Sequence, residues 1–208
     1  MPKVTNEHID ARRRQILSAA RACFIRKGFN QTTMRDICEE SQLSPGAIYR
    51  YFRGKDEIIE AIGREGVAQM VATVQERQDA LRLPQLLEFL VERFFSPVGQ
   101  PDAEAGLKVD VETWAEGLRN ESMALHLHDQ IVATKNVLAE VIRRGQAEER
   151  LNRDLDPGTA AIAMMALHYG LRVLKAQAPD QVNVGDFVHV VQALLTGQFW
   201  RGQNHQGY

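Results

Sequence analysis

Little in this sequence invites a covalent framework, a membrane or a reaction. Its 208 residues include two cysteines, too few for a disulfide scaffold. Fifteen glycines and seven prolines are scattered, which excludes a collagen-like or low-complexity architecture. The longest strongly apolar run, Ala160 to Leu167, falls far short of the roughly 20 residues that span a bilayer. The opening stretch, Met1 to His8, is polar and has no apolar segment of a secretory signal behind it. No G-x-S-x-G, H-E-x-x-H, G-x-x-x-x-G-K-S/T or G-x-G-x-x-G motif occurs. His126 and His128, two apart on a helix, point away from each other, and no His/Cys/acid cluster has ligand spacing. The expectation is a cytoplasmic, non-enzymatic protein with no cofactor, no metal and no membrane partner.

What is present is an uneven charge. The net charge is −2, yet residues 1–55 carry 11 Lys/Arg against five acids, a surplus of +6. The other 153 residues carry 14 bases and 22 acids, a balance of −8. Phosphate neutralisation needs local positive charge, so a basic head on an acidic body points towards a polyanion such as DNA. A solvated surface face would look the same by charge alone.

Helical periodicity runs through the whole chain, and no stretch alternates with period two. Residues 10–28 place Ile16, Ala19, Ala20, Cys23 and Phe24 on one stripe, ended by Gly28. Thr33-Met-Arg-Asp36 has capping-box form and opens a short helix stopping near Ser41. Ser44-Pro45 opens a second, from Pro45 to about Phe52, by an N-cap hydroxyl followed by proline at the first helical position. Gly54 breaks it, and Lys55 begins a long helix with Asp56 and Glu57 in its first turn. Further helices are expected over 84–96, 103–119, 121–149, 157–177 and 184–200. The last two are apolar on nearly every face. One face would meet the core and the other a second copy, which predicts a two-fold dimer through 157–177 and 184–200. Cys23 and Cys38 fall on inward faces, as packed thiols rather than sensors.

Two short helices, a tight turn and a basic setting form a unit that lays its second helix in the major groove. Gly46 and Ala47 are small enough for close approach to base edges, and Ala47 suits a thymine methyl. Tyr49 and Tyr51 offer hydroxyls to phosphates, and Arg50 reaches phosphate or guanine. Ile48 and Phe52 lie on the inward side. The spaced positions Thr32-Thr33, Ile37, Leu43-Ser44, Gly46, Tyr49, Tyr51-Phe52 and Lys55 resemble the DNA-binding domain of the tetracycline-repressor (TetR) family of bacterial regulators. The resemblance covers about residues 10–60. It implies a dimeric repressor that reads a palindromic operator and is released when a small molecule enters the C-terminal domain. By position it implies that Thr33, Tyr49 and Lys55 hold phosphates. It places Arg35, Pro45, Ala47 and Arg50 where family members contact bases or backbone. The chain departs from the family in the turn, where Gln42 stands in place of the usual glycine of Ala-Gly-Val-Ser.

The fold class expected is therefore all-α: a three-helix helix-turn-helix domain over 1–55 and a larger helical ligand-binding and dimerisation domain over 56–208. On the helix at 103–119, Asp110 is a carboxylate among apolar neighbours beside Trp114, and a buried carboxylate needs a partner. A cationic ligand stacked on Trp114 would serve, as would an ion pair to Arg93 or Lys135. Glu112 and Glu116 share the polar face with Lys108 and Arg119 and are expected to be solvated. Phe94, Met123, Met165 and His168 complete the candidate effector set, with Phe95, Met70 and Met164 as further adaptable apolar wall. A helical enzyme with an incidental basic head, or an architectural DNA-binding dimer without effector, would fit much of the same pattern.

Overall fold

The computed structural model describes residues 6–78, 92, 95–99 and 103–195, and among these every regular element is helical. The elements are α1 (Asn6–Lys27), α2 (Met34–Ser41), α3 (Pro45–Ile48), α4 (Lys55–Gln78), a 3-10 turn (Ser96–Gly99), α5 (Ala103–Glu116), α6 (Glu121–Ala147), α7 (Pro157–Gln177) and α8 (Val184–Leu195). Most of the helix expected over 84–96, and the end of the last helix beyond 195, lie outside the described residues. No described helix is long and apolar enough to cross a membrane.

Local chemistry accounts for the starts and stops. Thr33 caps α2 by accepting from the Asp36 amide at 3.2 Å, and the Asp36 carboxylate answers by accepting from the Thr33 amide at 2.8 Å. Lys27 and the Thr33 amide together hold the Asp36 carboxyl well below the usual carboxylate range. Ser44 caps α3 by accepting from the Ala47 amide, with Pro45 at the first helical position. Asp156 does the same for α7, accepting from the Thr159 amide at 2.7 Å ahead of Pro157. The α-helix at α3 is shorter than the sequence suggested. It ends at Ile48 and passes into turns, where the Tyr51 and Phe52 amides both close on the Ile48 carbonyl.

Three apolar clusters hold the helices together. The first joins Ile16, Leu17, Cys23 and Phe24 of α1 to Ile37 and Cys38 of α2, and to Ile48 and Phe52 beyond them. This core does not stop at residue 55: Ile58, Ile59 and Ala61 of α4, Val109 of α5 and Met123 of α6 complete it. The second cluster packs Val74 of α4 against Leu138, Val141 and Ile142 of α6 and Ala161 and Met165 of α7. The third gathers Phe95, Val98, Leu107, Leu171, Val184 and Val191. Both cysteines are free and buried, and burial is the leading cause that raises each thiol's pKa.

Gln42 follows α2 with φ 55° and ψ 32°, the left-handed conformation that the missing glycine would have favoured. A side chain there costs about 1 kcal/mol. Gln42→Gly should therefore raise the midpoint of thermal unfolding, by a gain of about 1 kcal/mol. An unchanged or lower midpoint would contradict strain at this turn.

Candidate nucleic-acid interface and effector cavity

The edge that would meet DNA is built by burying its opposite side. Ile48 is fully buried and Phe52 nearly so, and the Arg13 guanidinium lies 4.7 Å from the centre of the Phe52 ring. With those two side chains fixed inward, Ser44, Pro45, Gly46, Tyr49 and Arg50 are exposed and Ala47 is half-buried. A Cβ placed on Gly46 would meet open space. Tyr51 is divided, half-buried against the head's core. Thr33 is exposed, but its hydroxyl already serves the α2 cap by donating to Asp36 at 2.8 Å.

Several cations of the head stand in exposed ion pairs. Arg21 meets Glu65 at 3.0 Å, Arg26 meets Glu40 at 2.8 Å, and Arg35 meets Glu39 at 3.0 Å. Such exposed pairs are weak and screened by salt, so exchanging a carboxylate for a phosphate costs little. Lys55 is used differently from a simple phosphate hook. Its ammonium donates to the carbonyls of Phe29 and Asn30 at 3.0 and 3.1 Å and sits 4.6 Å from the centre of the Phe29 ring.

The same turn is gripped from its other side by a residue that periodicity placed in solvent. The Glu112 carboxylate on α5 accepts from the Phe29 amide at 2.6 Å and from the Asn30 amide at 3.3 Å. Gly28 has φ 80°, where a side chain is strained, and a Cβ there would lie 2.8 Å from a Glu112 oxygen and displace the carboxylate. Glu112 was legible only as polar, because the partner amides come from the far end of α1. Glu116, also expected in solvent, is only 25% exposed and pairs with Arg119 at 3.4 Å. Nearby, the Asn120 side-chain amide donates to Asp56 in the first turn of α4 at 3.2 Å.

On the side of α5 away from that turn, a cavity of about 300 Å³ opens between α4, α5, α6 and α7. Asp110, Trp114, Met165 and His168 of the expected effector set all line it, together with Met70. Met123 does not: it is buried in the head's core. Phe94 lies outside the described residues. Phe95 is in the third cluster, with its ring centroid 5.9 Å from that of His168 in an edge-on arrangement, and Met164 packs against the second. The Trp114 and Tyr169 rings form one corner, with centroids 4.6 Å apart and planes at 52°. Gly63 and Gly66 of α4 make room, since a Cβ on Gly63 would run into the Gln130 amide. His126 is buried beside Gln130 and 3.5 Å from Glu60, and burial lowers its pKa. Among the described residues no group of three or more His, Cys, Asp or Glu is placed to hold a metal.

Asp110 finds its partner in Arg172 of α7, not in Lys135, while Arg93 lies outside the described residues. The position a cationic guest would take beside Asp110 is held by the chain's own guanidinium. Burial pushes the Arg172 pKa down to about 10, so it remains charged at neutral pH. Arg172 escaped the sequence reading although a signal existed. It is the first arginine, lysine or acid along a helix whose earlier turns are mostly apolar.

The sequence matches the family profile of bacterial regulatory proteins, tetR family, over residues 16–62. It matches that of BetI-type transcriptional repressor, C-terminal, over residues 83–199. The HTH-type transcriptional regulator UidR of Escherichia coli is 25% identical over 185 residues, covering 89% of this chain and 91% of UidR. The structure of GusR from Salmonella enterica superposes with a TM-score of 0.74 at 30% identity, covering 95% of this chain and 99% of GusR. A transcriptional regulator from Saccharomonospora viridis, solved in complex with choline, shares the fold with a TM-score of 0.72 at 23% identity, covering 89% and 96%.

If Glu112 holds the head to the body, Glu112→Ala should lower the unfolding free energy by about 1–3 kcal/mol, because two amides lose a charged acceptor. Urea unfolding measures this. A midpoint equal to that of the wild type would show that water replaces the carboxylate without loss.

Proposed function

This chain belongs to the tetR family of bacterial regulatory proteins, with a BetI-type repressor C-terminal region, and from that membership we propose how it works. It is a ligand-responsive transcriptional repressor of the bacterial cytoplasm. A DNA-reading domain over 1–55 is governed by an effector and dimerisation domain over 56–208. The observation that carries this reading is the outward edge from Ser44 to Arg50, held on a basic head by the burial of Ile48 and Phe52.

In this reading Gly46 and Ala47 approach base edges, while Arg50 takes a base or a phosphate. Ser44, Pro45, Tyr49, Tyr51, Thr33 and Arg35 flank the backbone. Lys55 has two of its three donors on carbonyls, which leaves one for a phosphate. Two copies join through α7 and α8. Ile162, Leu167 and Leu174 on α7, and Val190 and Leu194 on α8, are large apolar side chains exposed in the single chain. A second copy would bury them. The dimer would present its two reading edges about 34 Å apart to a palindromic operator. Occupation of the cavity beside Asp110, Trp114, Met165 and His168 would shift that spacing and release DNA. The effector acts by being bound, not by being converted. In the Saccharomonospora viridis protein the same fold holds choline, a ligand of suitable size for such a cavity.

Gel-shift titration on the DNA upstream of its own gene tests this. Retention should weaken steeply as salt rises. Arg50→Ala should weaken it by about tenfold, equivalent to about 1.4 kcal/mol. A protein that retains no DNA at low salt is not a regulator, and an Arg50→Ala variant that binds as the wild type removes the assigned edge.

A further inference from the structure

Two opposite charges share the cavity wall, and they are not equally deep. The Arg172 side chain is 19% exposed and that of Asp110 is 37% exposed. Among the described residues of the lining, Asp110 is the one acid facing the guanidinium. A cationic guest must take Asp110 away from Arg172. That strands the deeper charge without a counter-ion, the costly outcome for a buried pair. An acidic guest takes Arg172 and leaves Asp110, which already has more than a third of its surface open and can turn to water. The two exchanges therefore differ in cost, and the acidic guest is favoured.

Resting on the reading of this cavity as the effector site, we propose that the effector is an organic acid whose carboxylate displaces Asp110 from Arg172. The apolar remainder of the guest lies in the corner of Trp114 and Tyr169, against Val67, Met70 and Met165. An acid suits a guanidinium because the planar fork offers two parallel donors to the two oxygens of a carboxylate, whereas an amide has one uncharged oxygen and an ammonium has no acceptor. The displacement also has a route outward. Asp110 is the ionic tie between α5 and α7 at the cavity, beside the Trp114–Tyr169 ring contact, and two residues further along Glu112 ties α5 to the turn at Phe29 and Asn30. Release of the first tie changes what restrains the helix that makes the second.

The test uses the full chain and three guests of one shape: phenylbutyrate, phenylbutanamide and phenylbutylamine, titrated by calorimetry. The acid should bind at least about tenfold more tightly than the amide, with the amine weakest. Asp110→Asn should tighten the acid, since it removes the competing carboxylate, and Arg172→Gln should lower the acid to the level of the amide. A thermal melt checks that each variant is folded. Should Arg172→Gln fail to fold, the three guests on the wild type still decide. An amine that binds best, an acid no better than its amide, or binding by none of the three overturns the proposal. A gel shift run alongside separates this from the regulator reading. An acid that binds through Arg172 yet leaves DNA retention unchanged sustains the acid assignment and removes the role of the cavity as an effector site.

Discussion

The burial of Ile48 and Phe52 is the constraint on which the rest of the molecule depends. A four-residue helix has no stability of its own, because one turn cannot recover the entropy of forming it. Helix α3 persists because each of these side chains contributes about 1.5–3 kcal/mol by leaving water, and because Ser44 and Pro45 start the turn at a fixed place. The same burial aims the opposite edge outward. That edge is not set by the head alone. Ile58, Val109 and Met123 enter the same core from α4, α5 and α6, so the direction in which Gly46 and Arg50 face is a property of the whole chain.

Helix α5 sits where the two halves of the chain exert their influence. Its Glu112 holds backbone amides at the end of α1, its Val109 enters the head's core, and its Asp110 and Trp114 face the cavity. Lys55 grips the carbonyls of the turn whose amides Glu112 accepts from, so Phe29 and Asn30 are restrained from both sides. A guest that changes the partner of Asp110 acts on a helix already bonded to the reading domain.

Much of this was legible in the sequence, for a physical reason. Caps act over three or four residues, so Thr33 with Asp36, Ser44 with Pro45, and Asp156 with Pro157 announced their helices correctly. The left-handed turn at Gln42 was legible only through the family resemblance, which puts a glycine at that position. Periodicity then named the inward faces, including both cysteines. It could not say which element each face meets. Glu112 read as solvated because its acceptors' partners lie at the end of another helix. Met123 read as cavity wall because a buried methionine looks alike in a core and in a pocket. Asp110 stood out as needing a counter-charge, but only the packing of α5 on α7 supplies Arg172.

The central claim is that the chain reads DNA with the edge from Ser44 to Tyr51. Amide hydrogen exchange, with and without a DNA duplex at low ionic strength, tests it most directly. The account predicts slowed exchange in segments 33–36 and 44–51, with α7 and α8 unchanged. Slowing confined to other segments, with 44–51 exchanging as in the free protein, would contradict it.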